Sequence, residues 1–458
     1  MLSKILIKSS ALALVALSFV ACKKDTFTPI DPRSLNPDTT ASNTALDQWL
    51  KTTFLDEYNI NVIYHYHRYY HEADRNVTPP DPQFVQPMMT TVLEGYILPY
   101  RKIAGEAFIK KTVPKEFVLY GSTSYDSQNI GYAGTATGGI RVNLFGVDNF
   151  SLTPSFVTSR LRVIHHEFTH ILNQIFTMPP DFEKITASSY NAAWTNTPVD
   201  TAHKYGYVSS YASQNPVEDY AETTSSLLVS GQSWFDDWVR TSTSTAGQLA
   251  LRLKESNVVN YFNTLGIDFR ALQKEVQLYI QNTLKDPAVT FPYWLNKNLY
   301  KTLTVNLSDG MYTTYGSSPD FKAVYDATTA AIAAVGNANR KLNFIRLNFV
   351  SATQMNLYIN YSNTAGSVFE AAYAFNMAVT NSTGEIKFTV GTPGGTTNEW
   401  ANATVIQTGA QPMINYLSSN TFIGEWLQSN MPANMFTKTA GLYVKGTPTN
   451  YFYGPLTQ

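Results

Sequence analysis

Two histidines stand four residues apart in a stretch of the chain that predicts one long helix, at about residues 154–176. Thr153 suits the N-cap of that helix, and Pro154 suits its first turn. Apolar residues recur at the spacing of one helix face, at Leu161, Ile164, Phe168, Ile171 and Ile175. Because His166 and His170 lie one turn apart, the segment predicts an amphipathic helix that presents two imidazoles together.

Glu167 follows the first histidine directly and completes the pattern His-Glu-x-x-His. Two histidines at this spacing can share one zinc ion, and a glutamate beside the first can take a proton from water held at the ion. We therefore predict one bound Zn²⁺, with His166 and His170 as ligands and Glu167 as general base. The alternative is two partly exposed histidines on an amphipathic helix, because a pattern this short also arises by chance.

A third ligand is available in residues 210–222. Asn215 can cap a helix there, Pro216 suits its first position, and Glu218 and Glu222 then share one helix face. Glu218 could instead form a capping box with Asn215, which needs no metal. One carboxylate cannot easily serve in both ways, and we favour the ligand role because of the following resemblance.

A glutamate on a second helix, 48 residues after the second histidine, resembles the gluzincin arrangement of zinc metallopeptidases. The pattern Tyr-x(6)-Glu-x-x-Ala-Glu, met by Tyr211, Glu218, Ala221 and Glu222, is similar to that of lethal-factor-type metallopeptidases. The resemblance implies that Glu218 is the third zinc ligand and that Tyr211 donates a hydrogen bond to the oxyanion. It also implies that Glu222 supports a zinc-binding histidine from behind, with Asp219 a weaker candidate for that role.

The N-terminal residues predict export and a lipid anchor. Residues 1–21 combine early lysines with a short apolar run and a small residue before Cys22, the single cysteine of the chain. This pattern resembles the lipobox of bacterial lipoproteins, which implies a signal peptide at 1–21 and lipidation of Cys22. The alternative is an ordinary cleaved signal with a spare cysteine. Residues 22–43 are polar and contain three prolines, which predicts a flexible tether.

The remaining chain divides at about residue 295 on its pattern. We expect an α+β metallopeptidase domain of the zincin-like type at 44–294 and a β-rich accessory domain at 295–458, where strongly alternating segments recur. Short helices are expected at 321–334 and 410–426. A strand at 140–145 is either an ordinary core strand or a sheet edge that pairs with an extended peptide.

The wider chain, over about residues 20–290, resembles a family of zinc-binding metallopeptidase lipoproteins associated with TonB-dependent nutrient import. The lipobox, residues 58–62, the His-Glu-x-x-His motif and Glu-Asp-x-Ala-Glu carry this resemblance. The C-terminal part is similar to an uncharacterised lipoprotein domain from the same import clusters. The resemblance implies a peptide or protein substrate, an import complex as partner, and an outer-membrane lipoprotein that could face the cell surface. A net charge of −1 gives no basic surface for nucleic acid.

Three alternatives stay open. The chain could be a non-enzymatic surface lipoprotein that binds a ligand or supports an import complex, with structural zinc or none. It could also hydrolyse a non-peptide ester or amide, because the zinc chemistry is shared. His65, His67 and His71 could hold a second metal, although their Arg- and Tyr-rich surroundings favour an exposed surface.

Overall fold

The computed structural model describes residues 43–72, 75–127, 129–137, 140–427 and 431–458, with the backbone alone described for Arg68 and Thr137. The predicted signal peptide, the lipidation site at Cys22 and nearly all of the predicted tether lie outside these residues. Within the described part of the chain, every helix is too short or too polar to cross a membrane.

Helices predominate in the chain before residue 300 and recur between the strands after it. In chain order the α-helices are α1 Ala45–Leu50, α2 Asp56–Tyr58, α3 Pro82–Val92, α4 Leu98–Ala104, α5 Glu106–Thr112, α6 Pro154–Ile175, α7 Phe182–Ile185, α8 Val199–Tyr205, α9 Pro216–Val229, α10 Gly231–Thr241, α11 Thr245–Thr264, α12 Phe269–Asn282, α13 Phe291–Asn296, α14 Gly310–Tyr315, α15 Pro319–Ala334, α16 Asn398–Val405 and α17 Gln407–Ser419. Two π-helical segments, Lys51–Leu55 and Leu93–Ile97, join α1 to α2 and α3 to α4.

The β-strands are short before residue 300 and mostly longer after it. In chain order they are β1 Asn61–Ile63, β2 Glu116–Leu119, β3 Ser124–Tyr125, β4 Gly131–Tyr132, β5 Gly134–Thr137, β6 Arg141–Leu144, β7 Thr302–Val305, β8 Lys341–Ser351, β9 Gln354–Ser362, β10 Val368–Thr380, β11 Glu385–Val390, β12 Thr421–Trp426, β13 Thr439–Val444 and β14 Thr447–Thr457. The predicted α+β class with a β-rich C-terminal part is confirmed.

The N-terminal half packs helices against a small mixed sheet of order β1-β2-β6-β5. Strands β1, β2 and β6 are parallel, and β5 pairs antiparallel with β6. The predicted strand at 140–145 is therefore an interior strand, and the idea that it forms a peptide-binding edge is wrong. The edge strand beside it is β5, which stands last in the strand order and pairs with β6.

The long helix α6 runs alongside β5 and crosses α9, so that the two predicted motif helices pack together. Gly134 on β5 lies directly against α6. A Cβ at that position would come within 2.4 Å of Val163 Cγ1, which is far inside van der Waals contact. The absence of a side chain lets the edge strand and the helix approach closely, and this approach forms one wall of the cleft described below.

The C-terminal half forms a closed antiparallel barrel of eight strands in the described residues, in the order β7-β8-β9-β10-β11-β12-β13-β14. Sequence neighbours are spatial neighbours all round the barrel, and β14 closes it by pairing with β7. Helices α15 and α17 pack against each other and against the barrel wall. The predicted helix at 410–426 ends earlier, at Ser419. Its last residues form β12 instead, with Phe422 and Trp426 turned into the barrel core.

The two halves meet through α10, α12, α13 and the strand ends of the barrel. The N-terminal apolar core extends to Val289 and the C-terminal core begins at Phe291. The Trp426 indole donates to the backbone carbonyl of Val289 at 2.8 Å across this junction.

Candidate metal centre

The helix that carries the two histidines begins as the sequence predicts. Thr153 is extended (φ −63°, ψ 138°) and Pro154 takes the first helical position, although the Thr153 hydroxyl makes no capping hydrogen bond. The predicted apolar face of α6 is buried at Leu161, Ile164, Phe168 and Ile171, whereas Ile175 in the last turn is 44% exposed. His166 and His170 face Glu218 of α9. His166 is only 6% exposed, so its ring lies inside the protein rather than on a solvated helix face.

On the second motif helix, α9, the cap and the Glu218 side chain have separate partners. The Asn215 side chain caps α9 by accepting from the backbone N–H groups of Val217 and Glu218, at 2.9 and 3.0 Å. The Glu218 carboxylate does not return to the cap and instead points at the two histidines of α6. Asn215 therefore satisfies the helix start, and the glutamate side chain is left for the histidines.

Three side-chain atoms converge on one point between α6 and α9. Nε2 of His166 lies 3.0 Å from Nε2 of His170, and these atoms lie 3.1 and 3.2 Å from Oε2 of Glu218. A tetrahedral zinc ion with bonds of about 2.0–2.1 Å needs ligand atoms about 3.3–3.4 Å apart, so the triangle is close to the required size. Two imidazole nitrogens and one carboxylate oxygen are also a donor set that zinc accepts. Within the described residues no other group of His, Cys, Asp and Glu converges in this way.

Glu222 supports this triangle from behind. Its Oε1 lies 3.0 Å from Nδ1 of His166, the nitrogen on the far side of the ring from Glu218. Ser209 Oγ donates to Oε2 of the same carboxylate at 2.6 Å, and an Arg162 guanidinium N–H donates to it at 3.2 Å. A carboxylate in this position fixes the ring and directs the metal-binding nitrogen at the site.

The clustered carboxylates make the site strongly attractive to a cation. Burial alone would lower the pKa of His166, but hydrogen bonds to Glu218 and Glu222 outweigh burial and raise it to about 10. Burial likewise raises the pKa of both glutamates, but polar partners outweigh it. For Glu218 these partners are His166 and His170, and for Glu222 they are His166, Arg162 and Ser209. The pKa of Glu218 falls well below its ordinary value, and that of Glu222 falls to about 2. The glutamates are thus held as anions beside the histidines.

Glu167 and Tyr211 line a cleft that His166 also borders. The cleft has a volume of about 390 Å³ and is also bordered by Tyr132, Trp194 and Arg162. Burial raises the pKa of the Glu167 carboxyl, which suits a group that must accept a proton near neutral pH. Tyr211 stacks on His166, with ring centroids 5.8 Å apart, and burial followed by the Glu218 charge raises the pKa of its phenol. The hydroxyl is therefore kept protonated as a donor.

Asp219 directly follows Glu218 on α9 and contacts a different partner from the one that the resemblance implies. Its carboxylate is fully buried and pairs with the equally buried Lys254 ammonium of α11 at 2.7 Å. Tyr190 donates a further hydrogen bond to it at 2.9 Å. Burial raises the pKa of Asp219 and lowers that of Lys254, and their mutual attraction opposes both shifts. The pair anchors the start of α9 rather than a zinc-binding histidine.

Several residues that line or support the site are not predicted by any pattern in the sequence. Arg162 lies one turn before His166 on the same helix face, a spacing that could have drawn attention to it. Ser209, Trp194 and Lys254 reach the site or its support from loops and helices far along the chain. No local pattern marks them, because only the packing of α6, α9 and α11 brings them together.

The other histidines lie apart from the metal centre. His165 is fully buried, its Nε2 lies 3.2 Å from the Gly95 carbonyl oxygen, and burial lowers its pKa to about 4. The His71 ring lies between partners on both sides, Tyr66 Oη at 3.2 Å and the Glu72 carbonyl at 2.8 Å. His203 stacks on Trp238 and reaches that residue's carbonyl at 2.6 Å. These rings have structural contacts, and in the described residues they form no metal cluster.

Comparison with known proteins gives one family and one solved structure. A family model described as "Putative zinc-binding metallo-peptidase" matches residues 39–270, which contain α6, α9 and all the residues of the metal centre. A crystal structure of a protein described in the same words, from Bacteroides caccae, is 27% identical in sequence, with a TM-score of 0.45. The match covers 52% of this chain and 92% of that one. No curated protein matches the chain. Because the family model spans just over half of the chain, the chain belongs to the family described as "Putative zinc-binding metallo-peptidase".

Proposed function

We propose that the chain is a zinc-dependent peptidase of the gluzincin type that holds one Zn²⁺ through His166, His170 and Glu218. The observation that carries the proposal is the triangle of two imidazole nitrogens and one carboxylate oxygen, 3.0–3.2 Å on a side. A buried carboxylate, Glu167, stands beside that triangle and lines the same cleft. Family membership is consistent with zinc binding and supports a peptide substrate.

Bound zinc would supply Lewis acidity, polarising a carbonyl group and making a water molecule easier to deprotonate. Glu167 then acts as the general base. Its carboxylate accepts a proton from the attacking water and returns one to the leaving amine. Burial raises the pKa of this carboxyl from its ordinary value toward neutral pH. A carboxyl group with such a pKa can both accept the proton of the water and release it to the amine.

Tyr211 and Glu222 prepare the site in different ways. Tyr211 keeps its phenol protonated and lies over the His166 ring, so its hydroxyl can donate to an oxygen that becomes negative during attack. Glu222 accepts a hydrogen bond from the Nδ1–H group of His166, which leaves Nε2 facing Glu218 and His170. One residue thus stabilises the developing charge, and the other keeps a ligand in position.

The direct test of function is cleavage of a diverse peptide library by the purified chain, read by mass spectrometry of new termini. We expect zinc-dependent cleavage by the native protein and a loss of about 10²–10⁴-fold in Glu167→Gln, with zinc content unchanged. If Glu167→Gln retains both zinc and every activity of the native protein, the chain is a binding module and the proposal fails.

We further propose that Cys22 is lipidated and that the protein is an outer-membrane lipoprotein which works beside a TonB-dependent import complex. The support is the lipobox pattern and the family resemblance of the sequence. Mass spectrometry of the mature N-terminal peptide should find an acylated Cys22. The native protein should be found in the membrane fraction and the Cys22→Ala protein in the soluble fraction. If the native protein is found in the soluble fraction to the same extent as the variant, the lipid anchor is contradicted.

A further inference from the structure

A second concave site lies on the outer wall of the barrel, far along the chain from the metal centre. On β9 the residues Met355, Leu357 and Ile359 point into the barrel core, which leaves Gln354, Asn356 and Tyr358 on the outer face. Polar and aromatic side chains thus follow one another on the outside of a strand whose inner face is wholly apolar.

The adjacent strand, β10, forms the floor of this concave site. Ala374 pairs with Asn356 and Asn376 pairs with Gln354, so β10 places one methyl group and one further amide on the same outer face. Because the alanine side chain is so small, the sheet surface is recessed between its taller neighbours. The cleft formed there has a volume of about 590 Å³.

A tryptophan closes one side of this cleft. Just beyond β11 the chain stays paired with β10, where the Gly391 amide donates to the Ala374 carbonyl at 2.8 Å, and it then leads into α16. Trp400 stands on that helix and borders the cleft. A Cβ added at Gly395 would lie 3.0 Å from Nε1 of Trp400, so the loop passes directly along the indole and supports it.

The lining of the cleft carries no charged side chain among the described residues. It consists of Val350, Gln354, Asn356, Tyr358, Ala374, Phe375, Asn376, Gly391, Thr392, Gly394 and Trp400. Within the described part of the chain, the amides of Gln354 and Asn376 and the indole N–H of Trp400 have no hydrogen-bond partner. Of the charged groups near Tyr358, Arg346 and Glu370 neutralise each other at 3.1 Å, and the Glu399 carboxylate accepts a hydrogen bond from the Thr397 hydroxyl.

We propose that this cleft is a binding site for a neutral oligosaccharide. A sugar ring presents hydroxyl groups that both donate and accept, and side-chain amides do the same without a charge. Its faces carry C–H groups, which pack on an aromatic ring such as the Trp400 indole. A phosphate or carboxylate ligand would require a cation that the lining lacks.

The pairing of the strands favours a sugar over a peptide. A peptide that binds a sheet usually adds to an open strand edge through its main chain. Asn376 pairs with Gln354 on one side and with Thr389 on the other, so the lining part of β10 is an interior strand. The cleft offers side chains alone, and these match hydroxyl groups better than a peptide backbone.

The test is binding of neutral hexaoses of glucose, mannose and xylose to the purified full chain, followed by isothermal titration calorimetry. We expect at least one of them to bind, and we expect Trp400→Ala and Asn376→Ala each to weaken binding at least tenfold. Tyr443→Ala is the matched control because it removes a partly exposed aromatic ring on β13, three strands away from β10. That variant should bind as the native protein does, and so should Glu167→Gln.

Asn376 is exposed, so its variant tests the cleft even if Trp400→Ala fails to fold. The proposal is overturned if no neutral hexaose binds at millimolar concentration. It is also overturned if only acidic sugars bind, or if binding survives both cleft variants. Capture of peptides instead of sugars, lost in the same two variants, would make the cleft a peptide site and would equally refute the proposal.

Discussion

At the scale of single residues, Glu222 shows how a side chain that never touches the metal can control it. Its carboxylate joins His166, Ser209 and Arg162. Replacement with glutamine keeps the shape but removes the charge that orients the ring. We expect Glu222→Gln to weaken zinc affinity about 10–100-fold, measured by competition with a chelator of known affinity.

The matched control for this change is Glu183→Gln, since Glu183 is an exposed glutamate on α7. The control should bind zinc as tightly as the native protein. Equal affinity in native protein and Glu222→Gln would mean that the hydrogen bond to Nδ1 of His166 does not support the ligand.

Tyr211 should affect catalysis and leave metal binding alone. Removing its hydroxyl in Tyr211→Phe preserves the ring that stacks on His166 but takes away the proposed oxyanion donor. We expect kcat to fall about 10²–10³-fold with zinc content unchanged, in a steady-state assay with a cleaved peptide. Tyr205→Phe, at a half-exposed tyrosine on α8, should be unchanged. A Tyr211→Phe enzyme with native kcat would remove this residue from the mechanism.

The sequence predicted residues of the site as far as local spacing reaches. His166, Glu167 and His170 follow from a five-residue pattern, and Asn215 and Pro216 follow from helix-start chemistry. The choice between cap and ligand for Glu218 could not be made from spacing, and it rested on resemblance. The structure shows Asn215 capping without help from that carboxylate. The hydrogen bonds to Glu222 depend on a loop and a helix that meet only in three dimensions.

At the scale of elements, the start of α9 is held by the buried pair of Asp219 and Lys254. Both side chains are fully buried, and Lys254 also donates to the Gly206 carbonyl at 2.8 Å. Removing one partner leaves the other as an uncompensated buried charge. We expect Asp219→Ala to lower the free energy of unfolding by about 3–5 kcal/mol, measured by urea denaturation.

The control for the Asp219–Lys254 pair is a surface ion pair on the neighbouring helix α10. Asp237 and Arg240 are bridged on α10 with both side chains partly exposed, so Asp237→Ala should cost less than about 1 kcal/mol. The double change Asp219→Leu with Lys254→Met should recover much of the lost stability, because neither charge then remains buried. A small effect of Asp219→Ala would show that the pair does not anchor α9.

The elements themselves were predicted where one periodicity dominates. The helix expected at 154–176 is Pro154–Ile175, and the helix expected at 321–334 is Pro319–Ala334. The prediction of helix at 421–426 is wrong, and Ser418, Ser419 and Asn420 separate this segment from the apolar residues of α17. Its pairing with β11 and β13 makes it a strand, and such pairing is invisible in a local pattern.

At the scale of the whole molecule, polar contacts join the helical half to the barrel. The Tyr300 hydroxyl is buried between Ser233 Oγ of α10 and the Thr437 carbonyl beside β13, at 2.9 Å from each. Tyr300→Phe leaves both groups without this partner. We expect it to lower the free energy of unfolding by about 1–3 kcal/mol, and the exposed Tyr69→Phe to change it by less than about 0.5 kcal/mol. Equal stability of the two variants would refute a structural role for this junction.

The closed barrel could not be predicted from the sequence, although a β-rich region could. Alternation in segments such as Met355 to Tyr361 indicates strands with one buried face. Closure depends on two residue pairs, Leu456 with Leu303 and Thr457 with Thr302, which join strands at opposite ends of the C-terminal half. No short-range signal identifies such distant partners.

The central claim is that α6 and α9 together hold one zinc ion, and its most direct test is the zinc content of purified protein by inductively coupled plasma mass spectrometry. We expect one zinc per chain in the native protein, and strongly reduced zinc in His166→Ala and in Glu218→Ala. His67→Ala should retain native content, because His67 lies outside the converging group. Equal zinc content in the native protein and His166→Ala would contradict the claim.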